Sequence, residues 1–113
     1  MVNFRQGDVL VLDNAFLEQH PEIEIRPVAK DTTKPLPDLK LALGEVTGHS
    51  HQITSGVAML YGDVIGAKYL EVIEPSTLNH EEHHAFVIPP ATKDYTTIVQ
   101  REYTPEGWKF TAD

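Results

Sequence analysis

The sequence predicts an all-β domain, a small sandwich or barrel, and three observations lead to that prediction. Short runs of β-branched, aliphatic and aromatic residues recur along the chain, and turn residues such as Gly62-Asp63 and Pro105-Glu106-Gly107 separate them. No stretch repeats its apolar residues with the 3.6-residue period of a sustained helix. Short strands between regular turn signals are typical of sandwiches and barrels. We therefore expect one β domain over residues 1–113, with at most one short helix.

The first third of the chain is predicted to form a strand, the short helix and a second strand. Residues 8–12 are a compact apolar run after a Gln-Gly-Asp turn, which indicates a buried strand. Asp13 or Asn14 would cap a helix that continues through Gln19 and is stopped by Pro21. Residues 22–26 alternate polar and apolar side chains, as a half-buried strand does.

A long loop and a series of strands are predicted for the remainder. Residues 26–38 hold three prolines among polar residues, which favours a surface loop. Residues 39–46 resume strand character, and Gly44 and Gly48 would mark a bulge or bend there. The further strands are expected at residues 53–61, 64–73 (ended by Pro75), 86–88 (closed by Pro89-Pro90), 95–103 and, as a last edge strand, 108–110.

Composition and charge narrow the classes of function. The chain has nine Lys and Arg against 17 Asp and Glu, a formal net charge of −8, and its basic residues are scattered. Nucleic-acid binders usually cluster basic residues on one face, so we expect no nucleic-acid partner. No apolar run approaches the ~20 residues that span a bilayer, and no secretory signal is evident, so we expect no membrane partner and a cytoplasmic location. The absence of cysteine excludes disulfides and thiolate ligands.

Histidines are concentrated in two clusters that together predict a metal site. His49 and His51 flank Ser50, and residues 80–84 read His-Glu-Glu-His-His. Neutral imidazole is the commonest protein ligand for transition metals. Residues i and i+2 of a strand point to the same side, so the first pair could grip one ion together. We therefore predict a divalent transition metal as cofactor, most simply zinc.

The second cluster would complete the coordination sphere. A zinc site commonly has three or four nitrogen or oxygen ligands, so His80 would be the third ligand. The fourth would be His83, His84, a carboxylate or water. An extended segment puts His80 and His84 on one face, whereas a helical turn brings His80 beside both other histidines.

Carboxylates near the histidines are candidates for supporting roles. Glu45, four residues before His49, could be a ligand, a group that orients a ligand, or a general base, and it is the weak candidate for a catalytic residue. Glu81, Glu82 and Glu102 could accept the second ring N–H of a metal-bound histidine. Arg101 and Tyr103 would share one face of their strand and Gln100 and Glu102 the other, and the pair that faces inward would have a paired structural role. His20, outside both clusters, is interpreted as a surface residue.

Two resemblances extend this interpretation. The segment from Gly44 to His51 resembles the first metal-binding motif of cupins, a glycine followed by His-x-His on a strand, but the expected glutamate after the second histidine is absent. More of the chain resembles a family of small, largely uncharacterised bacterial and phage proteins, through the motifs RQGDVL, GEVTGHSH, HEEH, Pro89-Pro90 and QREY. The family pattern ends its second cluster at the position of His83, which implies His83 rather than His84 as the ligand.

Two functions fit these observations. In the first, an open coordination position lets the metal activate water, and the protein is a hydrolase or hydratase for a small-molecule substrate. In the second, the domain is a non-catalytic, metal-stabilised or metal-free module that assembles with itself or with another protein. Exposed strand edges of a small β domain favour self-association, so we expect a homo-oligomer.

Overall fold

The computed structural model describes residues 3–43, 50–63, 66–99 and 111–112, and it shows a mostly antiparallel all-β fold, as predicted. The strands are β1 (Phe4–Gln6), β2 (Val9–Asp13), β3 (Lys40–Leu43), β4 (Ser50–Tyr61), β5 (Lys68–His80), β6 (His83–Ile88), β7 (Tyr95–Val99) and β8 (Thr111–Ala112). One α-helix, α1 (Asn14–Gln19), and a short 3-10 helix (Pro21–Ile23) follow β2.

One sheet contains all eight of these strands: seven follow the order β3-β4-β5-β7-β2-β1-β8, and β6 lies off this path and pairs with β5. The long strand β5 pairs with β4 along one edge. Its other edge is shared, because β7 pairs with residues 68–70 and β6 pairs with residues 76–80. This division brings β6 alongside β1, and it creates the end of the sheet at which the histidines lie.

Two hydrophobic clusters lie on opposite faces of β2, which is buried along its whole length. Val9 and Val11 belong to the main core, to which seven of the strands contribute. Leu10 and Leu12 point the other way and pack against Leu17 of α1. A strand with apolar residues on both faces is expected where both faces are covered, so the run at residues 8–12 predicted this burial correctly.

The predicted helix is confirmed, with its cap. The Asp13 carboxylate accepts a hydrogen bond from the Ala15 N–H at 2.8 Å, which satisfies one of the free donors at the helix N-terminus. The helix ends at Gln19, and Pro21 starts the 3-10 helix at a position where a missing N–H costs little.

The strand predicted at residues 22–26 is wrong. The chain forms the 3-10 helix there instead, and Glu24 ends it in a left-handed conformation with φ of 67°. The polar-apolar alternation arises from a surface turn whose Ile25 reaches the smaller hydrophobic cluster. No strand is assigned to these residues, so the alternation of polar and apolar side chains indicates only that one side of the segment is buried.

The prediction that Pro75 ends a strand is also wrong, because β5 continues through it to His80. The pairing of β4 with β5 shifts register between Ile53 and Ala58, opposite this proline. Gly56 has φ of 95°, and a Cβ on it would lie 2.3 Å from the Pro75 carbonyl oxygen. An irregular bulge with a glycine therefore accommodates the proline, which lacks an N–H for the ladder.

The other strands are observed with different bounds: β4 and β6 begin three residues earlier than the strands predicted at 53–61 and 86–88. The 39–46 strand is observed as β3, the 64–73 strand begins only at Lys68, and the 95–103 strand is observed as β7. The strand predicted at 108–110, the bend at Gly44 and Gly48, and the pair Arg101 and Tyr103 lie outside the described residues. The strand β8 pairs in parallel with β1.

Candidate functional site

Three histidine rings from three strands lie together at one end of the sheet. His51 belongs to β4, His80 ends β5 and His83 begins β6. The ring centroids of His51 and His80 are 4.3 Å apart, those of His80 and His83 are 4.7 Å apart, and those of His51 and His83 are 5.8 Å apart. The tertiary structure therefore brings His51 of the first sequence cluster beside His80 and His83 of the second, and the metal site predicted from them stays a prediction.

Strand alternation explains why two of these rings are buried. Ser76, Leu78 and His80 occupy alternate, buried positions of β5, and His51 and Ile53 do the same in β4. The histidines thus continue the core-facing rows of the two strands beyond the last apolar residues. His51 is 1% exposed and His80 is 5% exposed.

The third ring is brought in by a hairpin. Glu81 and Glu82 form the turn between β5 and β6, so His80 and His83 are directly opposite each other across the strand pair. Directly opposite residues project from the same face of a sheet. His84 therefore points away: it is exposed, and its ring lies edge-on to Phe86 at 5.6 Å.

The turn between β1 and β2 completes the cluster with Gln6, Gly7 and Asp8. Gln6 is fully buried, and its side-chain oxygen accepts a hydrogen bond from His51 Nδ1 at 2.8 Å. The other nitrogen of the ring, Nε2, lies 3.4 Å from Asp8 Oδ1. His51 is thus held between two side chains that the sequence analysis had not assigned to the site.

Gly7 allows the close approach of His83 to this turn. Its φ is 57°, a conformation that favours glycine, and a Cβ on it would lie 2.7 Å from His83 Nε2. The edge of the His83 ring therefore rests against the backbone that carries Asp8. A side chain on residue 7 would push the ring away.

Burial governs the protonation of His51. Removal from water lowers its pKa to about 4, the neighbouring His80 ring adds to the lowering, and the Asp8 carboxylate opposes it. At neutral pH the His51 ring is consequently uncharged, although its distance from Asp8 falls within the range of an ion pair. An uncharged imidazole is the form that binds metals.

The hairpin turn takes part in two hydrogen bonds that backbone N–H groups donate. The Glu82 N–H donates to His80 Nδ1 at 3.1 Å, so this nitrogen carries a lone pair and not a proton. The Glu81 carboxylate accepts from the Ser50 N–H at 3.3 Å, which ties the turn to the start of β4. Glu81 and Glu82 therefore flank the cluster, and the role predicted for their carboxylates, acceptance of a histidine ring N–H, stays a prediction.

The remaining predicted residues fall elsewhere. His49, Glu45 and Glu102 lie outside the described residues, so their predicted roles stay predictions. His20 is a partly exposed surface residue, as interpreted, and it lies 2.9 Å from the Glu22 carboxylate.

The cluster is not already shaped as a coordination sphere. Within the described parts of the chain, no group of three or more His, Asp or Glu side chains is arranged so that it could hold a metal ion. The rings of His51 and His83 are nearly parallel, at 20°, so these two rings stack where metal ligands would converge. Two grooves, one of 530 Å³ next to α1 and one of 260 Å³ near Pro89, are lined by other residues.

Gln6 and Asp8 are the residues that sequence reasoning missed. The sequence did hold a signal for Gln6, because strand alternation places it on the same side as Phe4. An apolar residue would normally occupy that side. A buried amide must find hydrogen-bond partners. A polar residue on the core-facing side of a strand was therefore a pointer to the site.

The fold and the cluster define a class: a small antiparallel β domain with a buried histidine group at one end of its sheet. The sequence model of a family described as a domain of unknown function, DUF8820, matches residues 5–100. The chain belongs to that family. No curated protein and no solved structure matches the chain. Among the residues that the structure describes, no helix is long and apolar enough to cross a membrane.

Proposed function

We propose that this protein binds a divalent metal ion at the histidine cluster, with His51 Nε2 and Asp8 Oδ1 as the first two ligands. The single observation that carries the proposal is their separation of 3.4 Å. Two ligands at zinc-binding distances around a tetrahedral ion lie about 3.3–3.4 Å apart. A neutral imidazole nitrogen and a carboxylate oxygen are both acceptors, and a cation between them converts a repulsive contact into two bonds.

His83 is the third ligand that we propose, because its Nε2 rests against the turn that carries Asp8. The His83 ring has to rotate until the lone pair of its nitrogen points to the same position as His51 Nε2 and Asp8 Oδ1. His80 requires a larger change, since its Nδ1 accepts the Glu82 N–H and its other nitrogen carries the proton. It would join the ion only after that hydrogen bond breaks. His49 remains a ligand proposed from the cupin-like motif in the sequence.

Zinc is the ion that suits these donors best. The donor set consists of imidazole nitrogens and a carboxylate oxygen, and the chain has no cysteine that would favour softer ions. Gln6 accepts the second ring N–H of His51, which is the kind of partner that ligating histidines usually have.

A closed, stabilising metal is one of two roles, and burial favours it. His51 is 1% exposed and Asp8 is 12% exposed, and neither described groove opens onto them. Structural zinc sites have four protein ligands and contribute directly to folding. In this role the protein is a metal-stabilised module, consistent with the expected homo-oligomer.

A catalytic metal is the other role. Three protein ligands leave a fourth position for water, whose pKa a bound zinc lowers towards neutrality. Hydrolysis or hydration of a small molecule would follow. This role requires that His51, Asp8 and His83 are the complete protein ligand set and that His49 and His80 stay off the ion.

Metal analysis of protein purified without an affinity tag tests the proposal. We expect one equivalent of zinc or cobalt per chain in the wild type, and a tetrahedral cobalt absorption spectrum. His51→Ala and Asp8→Asn should each abolish stoichiometric binding, whereas the surface control His20→Ala should keep it. Absence of stoichiometric metal from the wild type under metal-replete conditions would overturn the proposal.

The same preparations separate the two roles. A structural ion should raise Tm strongly on binding and exchange slowly, with no exchangeable water on the metal. A catalytic ion should retain an exchangeable water that fluoride or azide displaces, which changes the cobalt spectrum.

A further inference from the structure

The surroundings of Gln6 fix the orientation of its side-chain amide. Its amide nitrogen donates to the Leu78 carbonyl oxygen at 3.1 Å and to the His84 carbonyl oxygen at 2.8 Å. A flipped amide would put its oxygen against two carbonyl oxygens at a fully buried position. The nitrogen therefore faces β5 and β6, and the oxygen faces His51.

This orientation determines where the His51 ring carries its proton. An amide oxygen only accepts hydrogen bonds, so the ring nitrogen 2.8 Å away, Nδ1, must be the donor. In a neutral ring the other nitrogen, Nε2, then has the lone pair, and Nε2 is the atom that faces Asp8.

The neighbouring ring has the opposite arrangement. His80 Nδ1 accepts the N–H of Glu82 at 3.1 Å, so in the neutral ring its proton is on Nε2. Two imidazoles whose centroids are 4.3 Å apart are thus held as opposite tautomers by different backbone and side-chain partners. His80 provides an internal control for any measurement on His51.

We propose that Gln6 is a positioning residue that keeps the proton of His51 on Nδ1, so that Nε2 is presented with Asp8 to a divalent cation. The tautomer is a property of the metal-free protein, whereas its use for cation binding rests on the function proposed above. Gln6 acts through His51 and does not contact the ion. The two carbonyls that orient it belong to β5 and β6, so the packing of β1 beside these strands prepares the ligand.

Nitrogen-15 NMR of the histidine rings in metal-free wild type is the direct test. We expect Nδ1 of His51 to be protonated and Nδ1 of His80 to be unprotonated. On addition of cadmium or zinc, the Nε2 signal of His51 should move and its Nδ1 should stay protonated. An unprotonated Nδ1 on His51 in the metal-free protein would overturn the proposal without need of any variant.

Variants at residue 6 show whether the amide is responsible. Gln6→Met has a similar shape but no acceptor, and we expect the His51 proton to shift to Nε2, towards Asp8, and zinc affinity to fall about 10–100-fold. Gln6→Glu keeps an oxygen against Nδ1, and its second oxygen faces the Leu78 and His84 carbonyls, to one of which only the protonated acid can donate. At a pH where this acid is neutral, the variant should preserve the wild-type tautomer. The matched control is Gln52→Met, next to His51 but on the other side of β4, which should change neither property.

The outcomes of these experiments are separable from those for metal binding. If His51 has the expected tautomer but no metal binds, the proposed function fails and the role of Gln6 in setting the tautomer stands. If metal binds and Gln6→Met leaves both the tautomer and the affinity unchanged, the positioning role is overturned. If Gln6→Met does not fold, the wild-type spectrum and Gln6→Glu decide the question.

Discussion

The two ends of the β4–β5 hairpin have the same strand geometry, but one end buries apolar side chains and the other buries histidines. At one end the directly paired Leu60 and Leu70 are both fully buried, and Val72 continues their row. At the other end the same core-facing rows finish in His51 and His80, which are buried almost as completely. The irregular pairing around Gly56 and Pro75 separates the two ends.

The difference shows what burial demands of each kind of side chain. A leucine needs only close neighbours, and removal from water stabilises it. A buried imidazole loses its hydration, so each of its nitrogens needs a protein partner. The apolar end is therefore a source of stability. At the histidine end, Gln6 and the hairpin turn provide hydrogen-bond partners for buried ring nitrogens, and this end is where we expect function.

The largest expected effect is at the apolar end. Leu70→Ala should lower the free energy of unfolding by about 2–5 kcal/mol, because a fully buried leucine leaves a cavity that the neighbours fill only in part. Urea unfolding measures the loss. Ile73→Ala, on the opposite face of β5 and 53% exposed, is the control and should cost much less. Equal losses would mean that the two faces of the strand do not differ as described.

Acidification should destabilise the histidine end selectively. Because burial lowers the pKa of folded His51 to about 4 from its usual 6.5, the unfolded chain takes up a proton first as the pH falls. Stability is therefore lost from about pH 6.5 down to about pH 4, by up to about 3 kcal/mol, and it does not fall further through this residue below that range.

The measurement compares urea unfolding of metal-free wild type and His51→Ala between pH 7 and pH 4. The difference between the two proteins isolates His51 from the carboxylates that also titrate in this range. We expect the wild type to lose more stability than the variant. If the free energy of unfolding depended on pH in the same way in both proteins, His51 would not be buried as a neutral ring.

Gly7→Ala should have an intermediate effect, at the turn that carries Asp8. We expect about 1–3 kcal/mol of destabilisation, from a non-glycine residue at φ of 57° and from displacement of His83. Gly66→Ala is the matched control, since Gly66 also has positive φ but nothing lies within 4 Å of a Cβ there. Only the Gly7 variant should shift the His83 ring signals in NMR. Unchanged His83 signals would argue against the contact.

The smallest expected effect is that of His84→Ala. Its side chain is exposed, so the free energy of unfolding should change by no more than about 0.5 kcal/mol and zinc stoichiometry should be unchanged. His83→Ala, measured alongside by metal analysis, should lose zinc. The reverse result would select His84, the alternative left open by the spacing of the second cluster.

Particular residues show how far sequence reasoning reached. The apolar run at residues 8–12 and the Asp13 cap were predictable because their causes are local. The strand through Pro75 was not, because the compensating Gly56 lies on another strand. The choice between an extended and a helical second cluster was likewise open, and the pairing of β5 with β6 turned residues 81–82 into a hairpin turn.

The sequence by itself determined the all-β class, the helix with its cap, and the choice of the histidines as candidate site residues. These three follow from the alternation of apolar residues, from local hydrogen bonding and from side-chain chemistry, respectively. Only the tertiary structure decided that Gln6 and Asp8 join His51 and that His83, not His84, faces it. Those contacts connect residues that are far apart in the chain, 45 positions for Gln6 and His51, and they depend on which strands pair and in which register.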